Sequence, residues 1–365
     1  MGKNVKGGKM LKVRKWLFLT MLIVSLVALL IPTGCGEEEG EGEPTATPTK
    51  VYEWSFQTSE SPGMVSYDKV FPDFIESVEK MSDGRLKLTM YPGGALVPLT
   101  EIHNAVADGT IEMGFSTGAF WAGTVPVGVL ALGLPFSCET MEEMEVWYYE
   151  RGVLDVLRDA YAEQNVHLLS PLIGVPYGSI MSSEPIESLD DLDGKNIRTI
   201  GYFGSIWEAF GATTTMTDIS EIYTSVAQGI VDGANIGNPA RFVAINLQDV
   251  AKYYTMPPLS SYASGEFFVN LDDWNDLPDD LQEILTVAAQ RASTGFATYF
   301  AYEDAEALET FRDAGVEINW FSDEEVEELR EVAVGVWDQL ALQDEYTAEI
   351  IDLTKDYMRY LGRLD

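Results

Sequence analysis

The sequence predicts an α/β protein built of two related lobes that enclose a cleft. Two segments 120 residues apart read almost alike, strand-like stretches alternate with amphipathic helices around both, and one helical stretch is too long for a single lobe.

The first observation is the pair Thr100-Glu-Ile-His-Asn-Ala-Val-Ala-Asp-Gly109-Thr-Ile-Glu-Met-Gly114 and Ser220-Glu-Ile-Tyr-Thr-Ser-Val-Ala-Gln-Gly229-Ile-Val-Asp-Gly-Ala234. Five of fifteen positions are identical and four more exchange like for like. Each copy is expected to place an N-cap at Thr100 or Ser220, then a two-turn helix, a glycine able to take the left-handed conformation, and a short strand. Coincidence between two ordinary amphipathic helices is the competing explanation. A solenoid is excluded, because no shorter period recurs.

In chain order, Lys3, Lys6, Lys9, Lys12, Arg14 and Lys15 precede an uncharged run from Trp16 to Ile31 that ends at Pro32-Thr33-Gly34-Cys35. Residues 1–35 read as a lipoprotein signal peptide, with Cys35 as the lipidated N-terminus, although Pro32 stands where leucine is preferred. An uncleaved anchor is the alternative, since the run is nearly long enough to span a membrane. Residues 36–50, GEEEGEGEPTATPTK, hold no large apolar side chain and read as an acidic, Pro/Thr-containing flexible tether with a reach of roughly 20 Å.

Beyond the tether, a strand at Val51–Phe56 leads through Gln57–Pro62 to a helix at about Met64–Met81. Asp83-Gly84 then turns into a strand at Leu86–Tyr91. In the second half, Gly194 turns into a strand at Asn196–Ile200, and Gly201–Gly204 opens a helix through Phe210. Apolar residues keep helical spacing from Asp279 to Ala314, where Gly315 stops them; about 1.5 Å per residue gives roughly 50 Å, enough to bridge both lobes. A strand at Val316–Phe321 and a capping box at Ser322-Asp-Glu-Glu325 close the pattern. The expected division is 51–170 plus 260–315 for the first lobe and bridging helix, 171–259 for the second lobe, and 316–365 for a C-terminal helical segment packed on both.

The whole chain has 23 cations against 59 acids; without the six leader cations 17 remain, for a formal charge of −42. Nucleic acid and anionic lipid surfaces are poor partners for such a surface. Only Cys35 and Cys138 are present, so no disulfide or cysteine-metal framework is expected once Cys35 carries lipid. Cys138 reads as a small buried hydrophobe. His103 and His167 stand in no metal-ligand spacing, and HExxH, Walker and dinucleotide patterns are missing. Neither an enzyme nor a cofactor or metal is expected.

In open α/β sheets, ligands bind beyond the carboxyl ends of the strands. That rule collects Gln57, Ser59, Phe120, Trp121, Tyr177, Arg198, Tyr202, Asn235 and Asn238: one cation, amides, hydroxyls and aromatics. Such a set suits an anionic organic solute, a guanidinium facing its carboxylate and apolar walls facing its carbon skeleton. Arg198, just before a glycine loop and a helix N-terminus, is the leading candidate. A structural ion pair competes for Arg198, core packing for Phe120 and Trp121, and turn formation for Asn235 and Asn238.

The order Tyr91-Pro-Gly-Gly94, Ala105-Val-Ala-Asp-Gly109, Trp121-Ala-Gly123, Leu134-Pro-Phe136, Gly194-Lys-Asn-Ile-Arg198, and Glu221-Ile-Tyr223 through Gly229-Ile-Val-Asp-Gly233 resembles the DctP-like solute-binding proteins of tripartite ATP-independent periplasmic (TRAP) transporters. The resemblance covers nearly all of the chain after the tether. It implies a type II periplasmic-binding-protein-like fold, two lobes closing on an organic acid, a long helix crossing both, and delivery without ATP to an ion-gradient-driven TRAP permease. It also implies that Arg198 clamps a carboxylate and that a second polar contact follows Val-Asp-Gly, where Asn235-Ile236-Gly237-Asn238-Pro239 stands. The stretches Gly93–Pro98 and Phe120–Gly123 resemble the branch for 2-oxo acids, which sometimes uses a metal. That branch has Glu-Trp where this chain has Asn235-Ile236, which leaves the metal-assisted mode in doubt. Sialic-acid-type members commonly carry an arginine where Glu184 falls. A ligand-sensing module presenting the closed cleft to a membrane receptor is the competing functional class.

Overall fold

Alternating burial along Tyr52–Thr58 (β1) makes the first strand of the molecule, seen here in a computed structural model that describes residues 50–364. The leader, Cys35 and nearly all of the expected tether lie outside the described residues. The other strands are β2 (Leu86–Tyr91), β3 (Met113–Ser116), β4 (Val166–Tyr177), β5 (Met181–Ser182), β6 (Asn196–Arg198), β7 (Thr213–Thr215), β8 (Gly233–Ala234), β9 (Tyr253–Met256), β10 (Ser260–Asn270) and β11 (Glu317–Trp320). They form a five-stranded sheet in the order β2-β1-β3-β10-β4 and a six-stranded sheet in the order β11-β9-β5-β8-β6-β7.

The 120-residue repeat is visible in that topology. In the first sheet β2, β1 and β3 are parallel and β10 runs antiparallel to β3. In the second, β7, β6 and β8 are parallel and β5 runs antiparallel to β8. Repeat partners occupy equivalent places: Ile102 and Ile222, and Val106 and Val226, are buried, while Gly109 and Gly229 take φ of +76° and +68°. Each glycine N–H closes the preceding helix by donating to the carbonyl of Val106 or Val226.

The expected N-caps are corrected. Thr100 lies within a 3₁₀ turn (Leu99–Glu101) that leads into the helix Ile102–Ala107, and Ser220 is already inside the helix Ile219–Ala227, which begins after Asp218. Neither helix has a side-chain cap: the first continues directly from the 3₁₀ turn, and the second follows Asp218 in extended backbone. The helix expected at 64–81 begins as a π-type turn (Ser66–Val70) and becomes regular at Phe71–Met81, where Pro72 fits the first turn without needing its missing N–H. The helix expected through Phe210 runs Phe203–Glu208.

The long helix, Asp279–Asp313, has 35 residues and crosses both lobes. On the first, Ser293 Oγ accepts from Ile173 N–H at 3.0 Å and Tyr299 donates to Asp73 at 3.0 Å. On the second, Asp304 accepts from Asn238 and from Ala240 N–H, and Phe311 packs edge-on against Tyr254 at 5.4 Å. Beneath the first sheet Phe56, Phe71, Phe74, Phe115 and Phe267 form a cluster with centroids 4.6–6.3 Å apart. Aromatic pairs of this kind add about 0.5–1.5 kcal/mol each beyond their buried area.

Two strand memberships differ from the expected division. β4 stays in the first sheet as far as Tyr177, paired with Ser260, so the change of sheet falls at 178–180 rather than at 171. Residues Glu317–Trp320, inside the strand expected at Val316–Phe321 but grouped there with a C-terminal segment outside both lobes, are an edge strand of the second sheet, parallel to β9. β4 ends where Gly178, at φ +110°, takes the chain out of extended geometry. The helix Asp323–Leu340 opens with the capping box of Ser322 and Glu325, and Glu325 also accepts from Leu189 N–H at 2.8 Å. The last helix, Glu345–Tyr360, docks by Thr354, which accepts from the buried Trp147 indole at 2.8 Å.

Candidate functional site

β6 ends at Arg198 and its neighbour β8 at Ala234, so Arg198 and Asn235 emerge side by side from the carboxyl ends of two parallel strands. The chain then turns through Gly237, at φ +131°, and Pro239 starts the helix Pro239–Ala244. A side chain at 237 would press on Arg241 Cδ at 2.9 Å and approach the Tyr177 ring at 3.7 Å, so this turn is crowded by both. Residues 235–241 thus run from one guanidinium to another.

Arg198 is 5% exposed, and its partners are carbonyls. Nε and Nη2 donate to Thr217 O at 3.1 and 2.7 Å, and Nη1 donates to Asn235 O at 3.2 Å. Five guanidinium N–H groups minus these three leave two, one on each terminal nitrogen. Among the described residues no carboxylate pairs with it; Asp218 acts only through its field. Burial therefore lowers the guanidinium below its ordinary value, with Tyr177 and Asp218 offsetting part of the effect. The structural ion pair that competed for Arg198 is absent among the described residues.

Around this cation the polar groups are underused. Asn235 is fully buried and both polar atoms of its side-chain amide lack a protein partner. Asn238 donates to Asp304 at 2.6 Å while its buried amide oxygen is unpaired. Tyr177 and Tyr202 flank Phe203 at 4.8 and 4.7 Å between ring centroids. Burial pushes the Tyr177 phenol up to about 12 and that of Tyr202 higher still, so both are neutral donors. The Tyr202 hydroxyl is engaged with the carbonyl of Gly133.

The remaining expected residues are placed differently. Gln57 is buried, but its oxygen accepts from Leu96 and Val97 N–H at 2.9 and 3.0 Å and its amide nitrogen donates to Val97 O at 2.7 Å. It acts as a brace for the 91–98 loop, not as a free ligand group. Ser59 is half-buried at the same strand end, with its backbone N–H donated to Phe115 O. Trp121 sits in an aromatic core, stacked on His103 at 5.0 Å and edge-on to Phe268 at 5.2 Å, and Phe120 packs partly buried beside that core. Core packing thus describes these two side chains better than cleft lining. His167 stacks on Trp274, and burial holds both histidines down at about 4, hence neutral.

Two functional candidates have no sequence signal of their own. Arg241 donates from Nη2 to Glu60 at 2.7 Å, joining the second lobe to the loop after β1, and the other Glu60 oxygen accepts from Ser66 at 3.0 Å. Burial pulls the Arg241 guanidinium down, but Glu60 outweighs this and holds it above its ordinary value. Asp304, also near Arg241, is pushed up to about 6 by burial despite its hydrogen bonds. An open hollow of about 250 Å³ between Gly63–Val65, Ala240–Ala244 and the long helix shares Arg241 with this cluster but none of Arg198, Asn235 or Asn238. The group around Arg198 therefore lies outside that hollow.

Comparison with known proteins agrees with this architecture. Residues 56–344 match the family model described as bacterial extracellular solute-binding protein, family 7 (DctP). A monocarboxylate 2-oxoacid-binding periplasmic protein of Nostoc sp. is 26% identical over 288 residues, 78% of each chain. The ectoine-binding periplasmic protein TeaA of Halomonas elongata is 24% identical, over 83% of this chain and 89% of its own. Among solved structures, a TRAP periplasmic solute-binding protein of Pseudoalteromonas atlantica with bound sodium and pyruvate superposes with a TM-score of 0.78 at 24% identity, covering 86% of this chain and 95% of its own. One from Bordetella bronchiseptica, with copurified calcium and picolinate, gives 0.77 at 22% identity over 86% and 93%. These relatives are binding proteins of the extracytoplasmic space rather than enzymes. On the family match across most of its length, the chain belongs to the bacterial extracellular solute-binding proteins of family 7, the DctP family.

Proposed function

We propose that the protein captures a small organic acid by its carboxylate and delivers it to an ion-gradient-driven TRAP permease. The observation that carries this reading is Arg198: a buried guanidinium with two N–H groups to spare and no acid partner among the described residues, beside the unpaired amide of Asn235. A carboxylate accepts two parallel N–H bonds from such a fork and supplies the missing countercharge. The Asn235 amide then takes a neighbouring oxygen of the ligand. Tyr177 and Phe203 serve as apolar wall.

The lobes of this reading are the two sheets with their helices, moving about 178–180 and 257–259, where β4 passes to β5 and β9 to β10. Sodium or calcium accompanies the ligand in some solved relatives. At positions 235–236 this chain offers a neutral amide and a branched alkyl group, and no group of three His, Cys, Asp or Glu gathers among the described residues. That donor set does not suit a divalent cation, and no binding step here is routed through one. The leader supports a lipid anchor at Cys35, which would keep the protein at the outer face of the membrane. Cys35→Ser should move the protein from the membrane to the soluble fraction; unchanged partitioning would remove the anchor from the reading.

The decisive test is mass spectrometry of the small molecule released when the purified protein is denatured, followed by a thermal-shift screen of carboxylates. A ligand at 100 times its dissociation constant stabilises the folded state by about 2.7 kcal/mol. Arg198→Ala should abolish that shift. If the shift survives, the carboxylate clamp is wrong.

A further inference from the structure

We infer that the site accepts a single carboxylate, and that Glu60 is the residue that enforces this by neutralising the second cation, Arg241, within the chain. The inference rests on the carboxylate reading of Arg198 and deepens it. Two guanidiniums stand at the ends of the 235–241 segment, and Tyr177 lies in the field of both. Their partners differ. Arg198 meets only carbonyl oxygens, whereas Arg241 is bound to Glu60 at 2.7 Å in a pair whose side chains are 18% and 8% exposed.

Charge along this segment can therefore be counted. Arg198 contributes one positive charge without a countercharge among the described residues. Arg241 and Glu60 cancel, and Asp304, hydrogen-bonded to Asn238 and to Ala240 N–H, adds no positive charge. One ligand carboxylate occupies the one guanidinium of the pair that has no acid partner, and neither Arg198 nor Arg241 is then left for a second. A second would have to reach Arg241 by displacing the Glu60 carboxylate, which would leave that acid buried and unpaired. Otherwise it would lie near the buried Glu60 and the partly buried Asp304, where like charges repel. Both routes penalise a di-anion, while a mono-anion carrying a neutral hydroxyl or keto oxygen can use the unpaired amide of Asn235.

Glu60 is well placed for this role. It lies immediately beyond the β1 end on the first lobe, its N–H is fixed by Thr58 Oγ1 at 2.8 Å, its carbonyl accepts from Gly93 at 2.9 Å, and Ser66 holds its second oxygen. With this support the carboxylate cannot swing away to make room. It is a specificity residue acting through Arg241 rather than a direct ligand.

The test is calorimetric titration of the intact soluble protein with acids matched in carbon number: butanoate against butanedioate, and 2-oxobutanoate against 2-oxobutanedioate. The wild type should prefer the mono-acid of at least one pair by on the order of 100-fold. Glu60→Gln keeps an acceptor for Arg241 and removes the charge, so the preference ratio should collapse by about tenfold or more. Binding of the di-acid to wild type within about threefold of the mono-acid would overturn the charge count while leaving Arg198 as the clamp. A mono-acid preference that survives unaltered in Glu60→Gln would overturn the role of Glu60. If no carboxylate binds, the underlying reading falls and this inference falls with it. The wild-type comparison stands even if the variant does not fold.

Discussion

Arg198 and Asn235 share one hydrogen bond, Nη1 to the main-chain carbonyl at 3.2 Å, while the side-chain amide of Asn235 beside it has no protein partner. A protein selected only for stability would not keep an uncompensated guanidinium and an orphaned amide in contact in its interior, because each unpaired buried group costs about 1–3 kcal/mol or more. The pair is intelligible as half of a contact whose other half is the ligand. Its consequences can be separated by substitution.

Arg198→Lys keeps the charge and loses the fork. Affinity for the carboxylate should fall about 100-fold, in line with the 2–5 kcal/mol for disrupting one partner of a buried charge pair. Unliganded stability should also fall, by about 1–3 kcal/mol, since bonds to the Thr217 and Asn235 carbonyls are lost and the more strongly hydrated ammonium is harder to bury. Titration calorimetry and thermal unfolding on the same preparation would decide. A loss of less than threefold would show that geometry at 198 is unimportant.

Asn235→Leu should act in opposite directions on stability and binding. Removing two unpaired polar atoms from a fully buried position should leave the unliganded protein as stable as before, or more stable by up to about 1 kcal/mol. Binding should weaken about tenfold or more, because the neutral oxygen of the ligand then meets an alkyl group. A variant that loses stability and binding together would mean that Asn235 is structural.

Much of this arrangement was legible in the sequence, and the parts that were not share a physical cause. The repeat gave the paired helix–glycine–strand units because burial and left-handed glycine are local properties, and Gly109 and Gly229 carry both. Arg198 was legible because the carboxyl end of a strand is a local address. Gln57 sits at such an address too, yet its amide is taken by Val97, 40 residues on, which no spacing rule announces. The Glu60–Arg241 pair joins residues 181 apart, so neither neighbourhood reveals it. The side-chain caps expected at Thr100 and Ser220 failed because the helices start elsewhere: Thr100 is taken into a 3₁₀ turn before the first, and the second already begins at Ile219.

The close approach of the long helix to β4 sets a third prediction. Gly174 has φ +153°, and a Cβ there would lie 2.5 Å from the Cα of Ala297, a backbone atom that cannot rotate aside. Gly174→Ala should destabilise by about 1–3 kcal/mol, the usual range for overpacking. Gly335, inside the helix Asp323–Leu340, has nothing within 4 Å of its would-be Cβ. Gly335→Ala should stabilise by about 0.5–1 kcal/mol through helix propensity. Urea unfolding of both variants provides the comparison, and equal effects would show that the contact at Ala297 is loose.

The last prediction concerns Glu266, fully buried on β10 with both oxygens accepting from the Tyr161 hydroxyl at 3.1 and 2.9 Å. Burial pushes its carboxyl up from 4.5 to about 8, only partly opposed by Tyr161 and by the Gly118 N–H. A carboxyl whose folded value lies above its unfolded one stabilises the fold while protonated, and that contribution disappears as pH rises toward the folded value. Between pH 4.5 and 6.5 the trend is offset by His103 and His167, whose values of about 4 make stability rise with pH over the same range, and overlaid by Asp304, raised to about 6, which makes stability fall as Glu266 does. From pH 6.5 to 8 those three groups have largely finished titrating, so Glu266 is exposed as the main source of slope. The wild type should lose about 1–2 kcal/mol of stability across that window relative to Glu266→Gln, which keeps an acceptor for Tyr161 but has no proton to release. Denaturant unfolding of the pair at pH 6.5 and 8 measures the difference directly, and parallel stability curves would mean that Glu266 is already ionised at neutral pH.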